Sequence, residues 1–136
     1  MKPTVHAALS ALLLLSTSLA FAGDSKVTLT GKEEVPAVET AATGTGTITV
    51  GADKSVSGSV TTKGVNGIAA HIHQAAAGKN GPPIVALEKS GDGVWSVPQG
   101  SKLTDEQLAA YKAGELYVNV HSAEHKGGEI RAQIKP

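Results

Sequence analysis

Four histidines, His71, His73, His121 and His125, fall in two short clusters of the chain. Imidazole is the commonest metal ligand at neutral pH. His71 and His73 are two residues apart in Ile68–His73, a run with strand character, so the period-two geometry of a strand places both rings on one face and Ile72 on the other. In Leu116–His121 the apolar Leu116, Val118 and Val120 take the core face, which leaves Tyr117, Asn119 and His121 opposite. His125 follows in the loop 122–127. Four imidazoles from two adjacent strand ends can converge on one ion at roughly 2.0 Å per nitrogen. The expected metal ligands are therefore His71, His73, His121 and His125. With no cysteine in the chain and Met1 the only methionine, such a site favours Cu(II) or Zn(II) over Cu(I). Glu124 and Glu129 lie close enough in sequence to orient a ligating ring. The same histidines have a plainer use, as surface residues that tie strands by hydrogen bonds.

Other chemistry finds little to stand on. Ser122 follows His121, but no G-x-S-x-G elbow exists to make it a nucleophile. Glu33 and Glu34 are adjacent carboxylates, and adjacent residues on a strand point to opposite faces. The Gly-rich stretch Ala77–Pro83 lacks the lysine pattern and following helix of a phosphate loop. Arg131, the only arginine, is placed by alternation on the outward face with Glu129 and Gln133, as an ion-pair or hydrogen-bond tie between strands rather than an anion clamp. No catalytic residues are assigned, and the chain is read as a non-enzyme.

Short β-branched runs separated by glycine-rich breaks must position these residues. Strands are expected at Lys26–Thr30, Gly46–Val50, Ser55–Thr62, Ile68–His73, Ile84–Leu87, Gly93–Val97, Leu116–His121 and Glu129–Ile134. Pro36 marks an edge or bend, because it cannot donate to a ladder. One helix is expected over Asp105–Lys112. Thr104 and Gln107 form a capping box, Leu103 and Leu108 a hydrophobic staple, and Gly114 stops it. The sum is an all-β antiparallel Greek-key β-sandwich of about eight strands with one short connector helix.

The N-terminus reads as a cleavable signal peptide over residues 1–22. Lys2 is followed by an apolar stretch from Ala7 to Leu15 and by the small-residue end Ala20-Phe21-Ala22. The domain is then residues 23–136, periplasmic or secreted. The 12 basic and 12 acidic residues of the whole chain balance, and loss of Lys2 leaves a net charge of about −1. With no basic run and few aromatics, nucleic acid is not an expected partner, and no membrane contact is expected after cleavage. The partners left are a metal ion or an extracytoplasmic protein.

These segments occur in a recognisable order. Leu29-Thr30-Gly31 and Glu34-Val35-Pro36 come first, then Ala70-His71-Ile72-His73 and Gly78-Lys79-Asn80-Gly81-Pro82. Leu116-Tyr117-Val118-Asn119-Val120-His121-Ser122 and Gly128-Glu129-Ile130-Arg131-Ala132-Gln133 complete the set. Together they resemble the CHRD (chordin-type) domain from about Lys26 to Ile134, with Ala132 where that pattern usually has glycine. The resemblance implies a secreted β-sandwich module and supplies no defined reaction. A fainter likeness is to copper-zinc superoxide dismutase, which would make His71, His73 and His121 copper ligands and His125 a fourth. No histidine lies between His73 and His121 to bridge two metals, and the disulfide and an evident zinc loop are missing.

Overall fold

The computed structural model describes residues 23–136; the signal-peptide expectation lies outside them. The chain forms β1 (Gly23–Thr30), a 3-10 turn (Gly31–Glu33), β2 (Thr43–Val50), β3 (Val56–Lys63), β4 (Gly67–Gln74), β5 (Pro83–Ala86), β6 (Glu88–Gly91) and β7 (Val94–Ser96). Helix α1 (Asp105–Lys112), β8 (Leu116–Ser122) and β9 (Ile130–Ile134) follow. All strand pairings are antiparallel, in the order β5-β4-β8-β9-β1-β2-β3-β7-β6. The all-β expectation therefore holds, as a nearly closed sandwich with nine strands rather than eight.

Connectivity explains how distant histidines meet. β1, β2 and β3 form a meander, and the chain then crosses to the other end of the sheet to lay down β4. A second crossing, through β7 and α1, brings β8 in beside β4, and β9 fills the place between β8 and β1. The sheet curls until its ends approach. The Leu87 amide donates to the Ala70 carbonyl at 2.9 Å, and Trp95 of β7 packs on Gly67 of β4 so closely that a Cβ there would lie 3.1 Å from the indole.

Alternation sets the core. Val27 and Leu29 of β1, Ile48 and Val50 of β2, Val56 and Val60 of β3, and Ala70 and Ile72 of β4 point inward. They meet Leu116, Val118 and Val120 of β8 and Ile130, Ala132 and Ile134 of β9. Helix α1 has the expected bounds and both bonds of its capping box, Thr104 N–H to Gln107 Oε1 at 2.9 Å and Gln107 N–H to Thr104 Oγ1 at 3.1 Å. It contributes Ala110 and Tyr111 to the core.

Two features depart from the sequence reading. β6 was not foreseen, because Glu-Lys-Ser-Gly is exposed throughout and carries no apolar alternation; its pairing with β7 alone defines it. The outward face of β8 and β9 is also not a solvated face. Every residue of β8 is buried, and Arg131 is only 2% exposed. The cause is a second covering layer, made by the segment around Glu34 and by the Lys79–Gly81 loop.

Ile72→Ala should lose about 2–5 kcal/mol of unfolding free energy, a core cavity cost, and Thr104→Ala about 1 kcal/mol for the lost cap. Urea unfolding of the two variants checks this ranking; equal losses would contradict the assigned core face of β4.

Candidate functional site

The covered face is built on a cation. The Arg131 Nε donates to Glu34 Oε2 at 3.1 Å, with both side chains almost wholly buried. Nη1 donates to the Lys79 carbonyl at 2.9 Å, and Nη2 donates to Asn80 Oδ1. The guanidinium carbon lies 3.8 Å from the Tyr117 ring centroid, a cation–π contact. The His73 ring stacks on Tyr117 at 4.7 Å with planes 3° apart. Arg131 is thus the expected tie, but a buried one that fastens the covering loops to the sheet. Glu33 stays exposed, so the adjacent carboxylates do not act as a pair. Burial raises the Glu34 pKa above the usual carboxylate value, outweighing the lowering by Arg131 and Asn119.

Strand register brings the histidines onto this face. His71 lies opposite Asn119, His73 opposite Tyr117, and Ala69 opposite His121. One ligating atom each from His71, His73 and His121 lies within 4.8 Å of the others. Three of the four expected ligands therefore meet. His125 groups instead with Glu124 and Glu129, although its side chain also borders the groove that His73 and His121 line. Glu129 is committed elsewhere: its Oε1 accepts from the Ser122 hydroxyl and its Oε2 from the Thr40 hydroxyl, both at 2.8 Å. It does not orient any of the three clustered rings.

Hydrogen bonds fix the proton on each ring, because a carbonyl oxygen only accepts. His73 Nδ1 faces the Gly81 carbonyl at 2.9 Å and His121 Nδ1 faces the Lys126 carbonyl at 2.8 Å, so both carry their proton on Nδ1. Both Nε2 atoms are then bare. His71 Nδ1 lies 3.0 Å from His121 Nε2 and donates to it. His73 Nε2 is buried with no hydrogen-bond partner. Burial lowers the pKa of His71, helped by the charge of His121. It also lowers that of His73, against the Gly81 carbonyl, which raises it. Both rings are held in the neutral form that can ligate a metal.

A groove of about 460 Å³ opens over His73 and His121, walled by Glu34, Val35, Pro36 and Val38 on one side and by Asn80 and Gly81 near His73. Gly128 closes it tightly. At φ 125° a Cβ there would fall 2.4 Å from both Asn119 Nδ2 and Glu34 Oε1. The sequence reading placed Asn119 on this face without assigning it a role. Strand parity puts it beside the histidines, but its 0% exposure depends on the Glu34 and Gly128 segments, which no local pattern reveals.

Arg131→Met should cost about 3–5 kcal/mol, since it leaves Glu34 buried and unpaired. A carboxyl whose folded pKa is raised loses stability as pH rises from its unfolded value through its folded one. Losing Arg131 raises that folded value further. The deficit should therefore shrink as pH falls toward the already raised folded pKa of Glu34, above the ordinary value of about 4.3, and be smallest once the buried carboxyl is protonated in both proteins. Denaturant midpoints at pH 4 and 7 read both effects, and a deficit constant with pH would contradict the pairing.

Among the described residues no helix is long and apolar enough to cross a membrane. No curated protein and no solved structure matches the chain. The profile of the CHRD domain matches residues 25–134, from the first buried position of β1 to the end of β9, and with the strands and covering loops just described it shows that the chain belongs to the CHRD domain family.

Proposed function

We propose that the protein is an exported CHRD-domain binding module that holds one Cu(II) or Zn(II) ion on His71, His73 and His121. One observation carries the reading: the bare Nε2 of His73 is sealed from water with nothing to bind. Such an orphaned acceptor costs about 1–3 kcal/mol, and a divalent ion would remove that cost. The carbonyl bonds from Gly81 and Lys126 to the far nitrogens support it, since they aim the lone pairs in the way that outer partners of metal-bound histidines do. Three neutral imidazoles without a thiolate suit Cu(II) or Zn(II) and leave one coordination position open. Export rests on the leader-like residues 1–22.

A second reading, a structural or protein-interaction module without metal, has its own observation in the His71–His121 hydrogen bond, which ties β4 to β8. Ion uptake would exchange that single bond for two coordinate bonds, so the two readings differ in a measurable way. A superoxide dismutase-like enzyme is the weakest reading, because the described residues offer no imidazole to bridge a second metal.

Calorimetric titration of the purified protein should give one equivalent of Cu(II) or Zn(II) bound at about micromolar Kd or tighter, roughly 8 kcal/mol. His73→Ala should abolish uptake and His125→Ala should leave it. Because protons compete for lowered-pKa rings, affinity should be level above pH about 6.5 and fall below it. Binding no tighter than about millimolar would leave the histidines as strand ties.

A further inference from the structure

Glu129 is the second buried carboxylate among the described residues, and it is held quite differently from Glu34. It is 5% exposed, but no cation balances it, because the ion pairs of the described residues are Lys54–Asp105 and Arg131–Glu34. Its partners are hydroxyls. Ser122 Oγ donates to Oε1 and Thr40 Oγ1 donates to Oε2, both at 2.8 Å. Each hydroxyl in turn accepts from a backbone amide, Ser122 from His125 and Thr40 from Ala42, both at 3.1 Å. Both Glu129 oxygens therefore act as acceptors, and each keeps a lone pair to spare. Buried charges in proteins are paired with an opposite charge or coordinate a metal. Glu129 has no such pair.

The loop 122–127 brings two further ligands to it. The His125 carbonyl accepts from the Ser122 amide at 3.2 Å and from the Gly128 amide at 3.0 Å, while its own N–H goes to Ser122 Oγ, so its backbone is pinned from both sides. The Glu129 amide donates to the Val120 carbonyl at 2.8 Å, which fixes the carboxylate at the end of the β8–β9 ladder. One ligating atom each from Glu124, His125 and Glu129 then lies within 4.8 Å of the others, close to twice a metal–ligand bond of about 2.2 Å. The His125 ring borders the groove over His73 and His121 and still presents a nitrogen within that distance. Glu124 is exposed, so its side chain can close the remaining gap. A separate cavity of about 290 Å³, lined by Thr40, Asn66 and Ser122 together with both glutamates, leaves room for an ion and its waters.

We propose that Glu124, His125 and Glu129 form a second cation site, which takes an oxygen-preferring divalent ion such as Mn(II). Two carboxylates and one imidazole are a harder donor set than three imidazoles, and carboxylate with water suits Mn(II). The ion supplies the positive charge that Glu129 lacks, and Glu129 keeps both hydroxyl bonds while it ligates. With one ligand on an exposed side chain, the site binds modestly. It does not depend on the Cu(II) or Zn(II) reading, because it shares no ligand with His71, His73 and His121.

The probe is Mn(II) alone, added to the purified protein and followed by loss of the sharp EPR signal of the free aquo ion. One equivalent should bind with Kd below about millimolar, and Glu124→Gln and His125→Ala should each weaken it by about tenfold or more. Glu129→Gln should weaken it likewise; if that buried change prevents folding, the two loop variants still decide the matter. His73→Ala, which removes Cu(II) uptake on the reading above, should leave Mn(II) uptake intact, so the two sites fail or stand separately. Mn(II) held no tighter than about millimolar by the native protein would overturn the proposal. So would an affinity unchanged in both loop variants, or one lost in His73→Ala, since the ion would then sit elsewhere.

Discussion

Arg131 is the constraint on which this face depends. A guanidinium has five N–H donors in one plane, and here they are shared among a carboxylate from the segment after β1, a backbone carbonyl, and an amide oxygen from the loop after β4. Pieces of chain far apart in sequence are thereby fixed against β8 and β9. Without that anchor the sheet would carry an ordinary solvated outer face, and the histidines would stand in water. The pair is an expensive way to hold a loop, since burial of Glu34 is only partly offset by its partners. Its use is positional rather than a matter of net stability.

That position decides the chemistry. Loop carbonyls at Gly81 and Lys126 meet the Nδ1 atoms of His73 and His121, so the loops choose the tautomers and the sheet only supplies the spacing. Tyr117 links the two systems, with the guanidinium against its ring, the His73 imidazole stacked on it and its hydroxyl accepting from the Gly81 amide at 3.1 Å. A structural cation and a bare imidazole nitrogen are thus neighbours across one aromatic ring.

The sequence made the strands and the helix legible because their signals are local. Alternation marked eight of the nine strands, and Thr104 with Gln107 set the start of α1. Parity also put His71 and His73 on one face of their strand and His121 on the outward face of its own, but the β4–β8 pairing that brings the three side by side is not a local signal. What could not be read is everything that needs a second layer. Alternation assigns a residue to a face but is silent about whether that face meets solvent, so Arg131 and Asn119 read as outward when they are buried. His125 was grouped with the others by proximity in sequence, whereas the loop turns through hydrogen bonds to its own carbonyl, from Ser122 and Gly128, and carries the ring toward Glu124 and Glu129. β6 lay beyond reach for the opposite reason, being a strand by pairing and a loop by composition.

The sheet does not close completely, and its two outermost strands are β5 and β6. An open edge is a template on which a second chain can continue the ladder, the route to fibrous self-association. Here β6 presents Glu88 and Lys89 on a fully exposed four-residue strand, and β5 starts at Pro83, directly after Pro82. A charged, short edge and a proline-led one are poor templates. A fold with no disulfide to restrain it can therefore persist at high local concentration without polymerising through its own sheet.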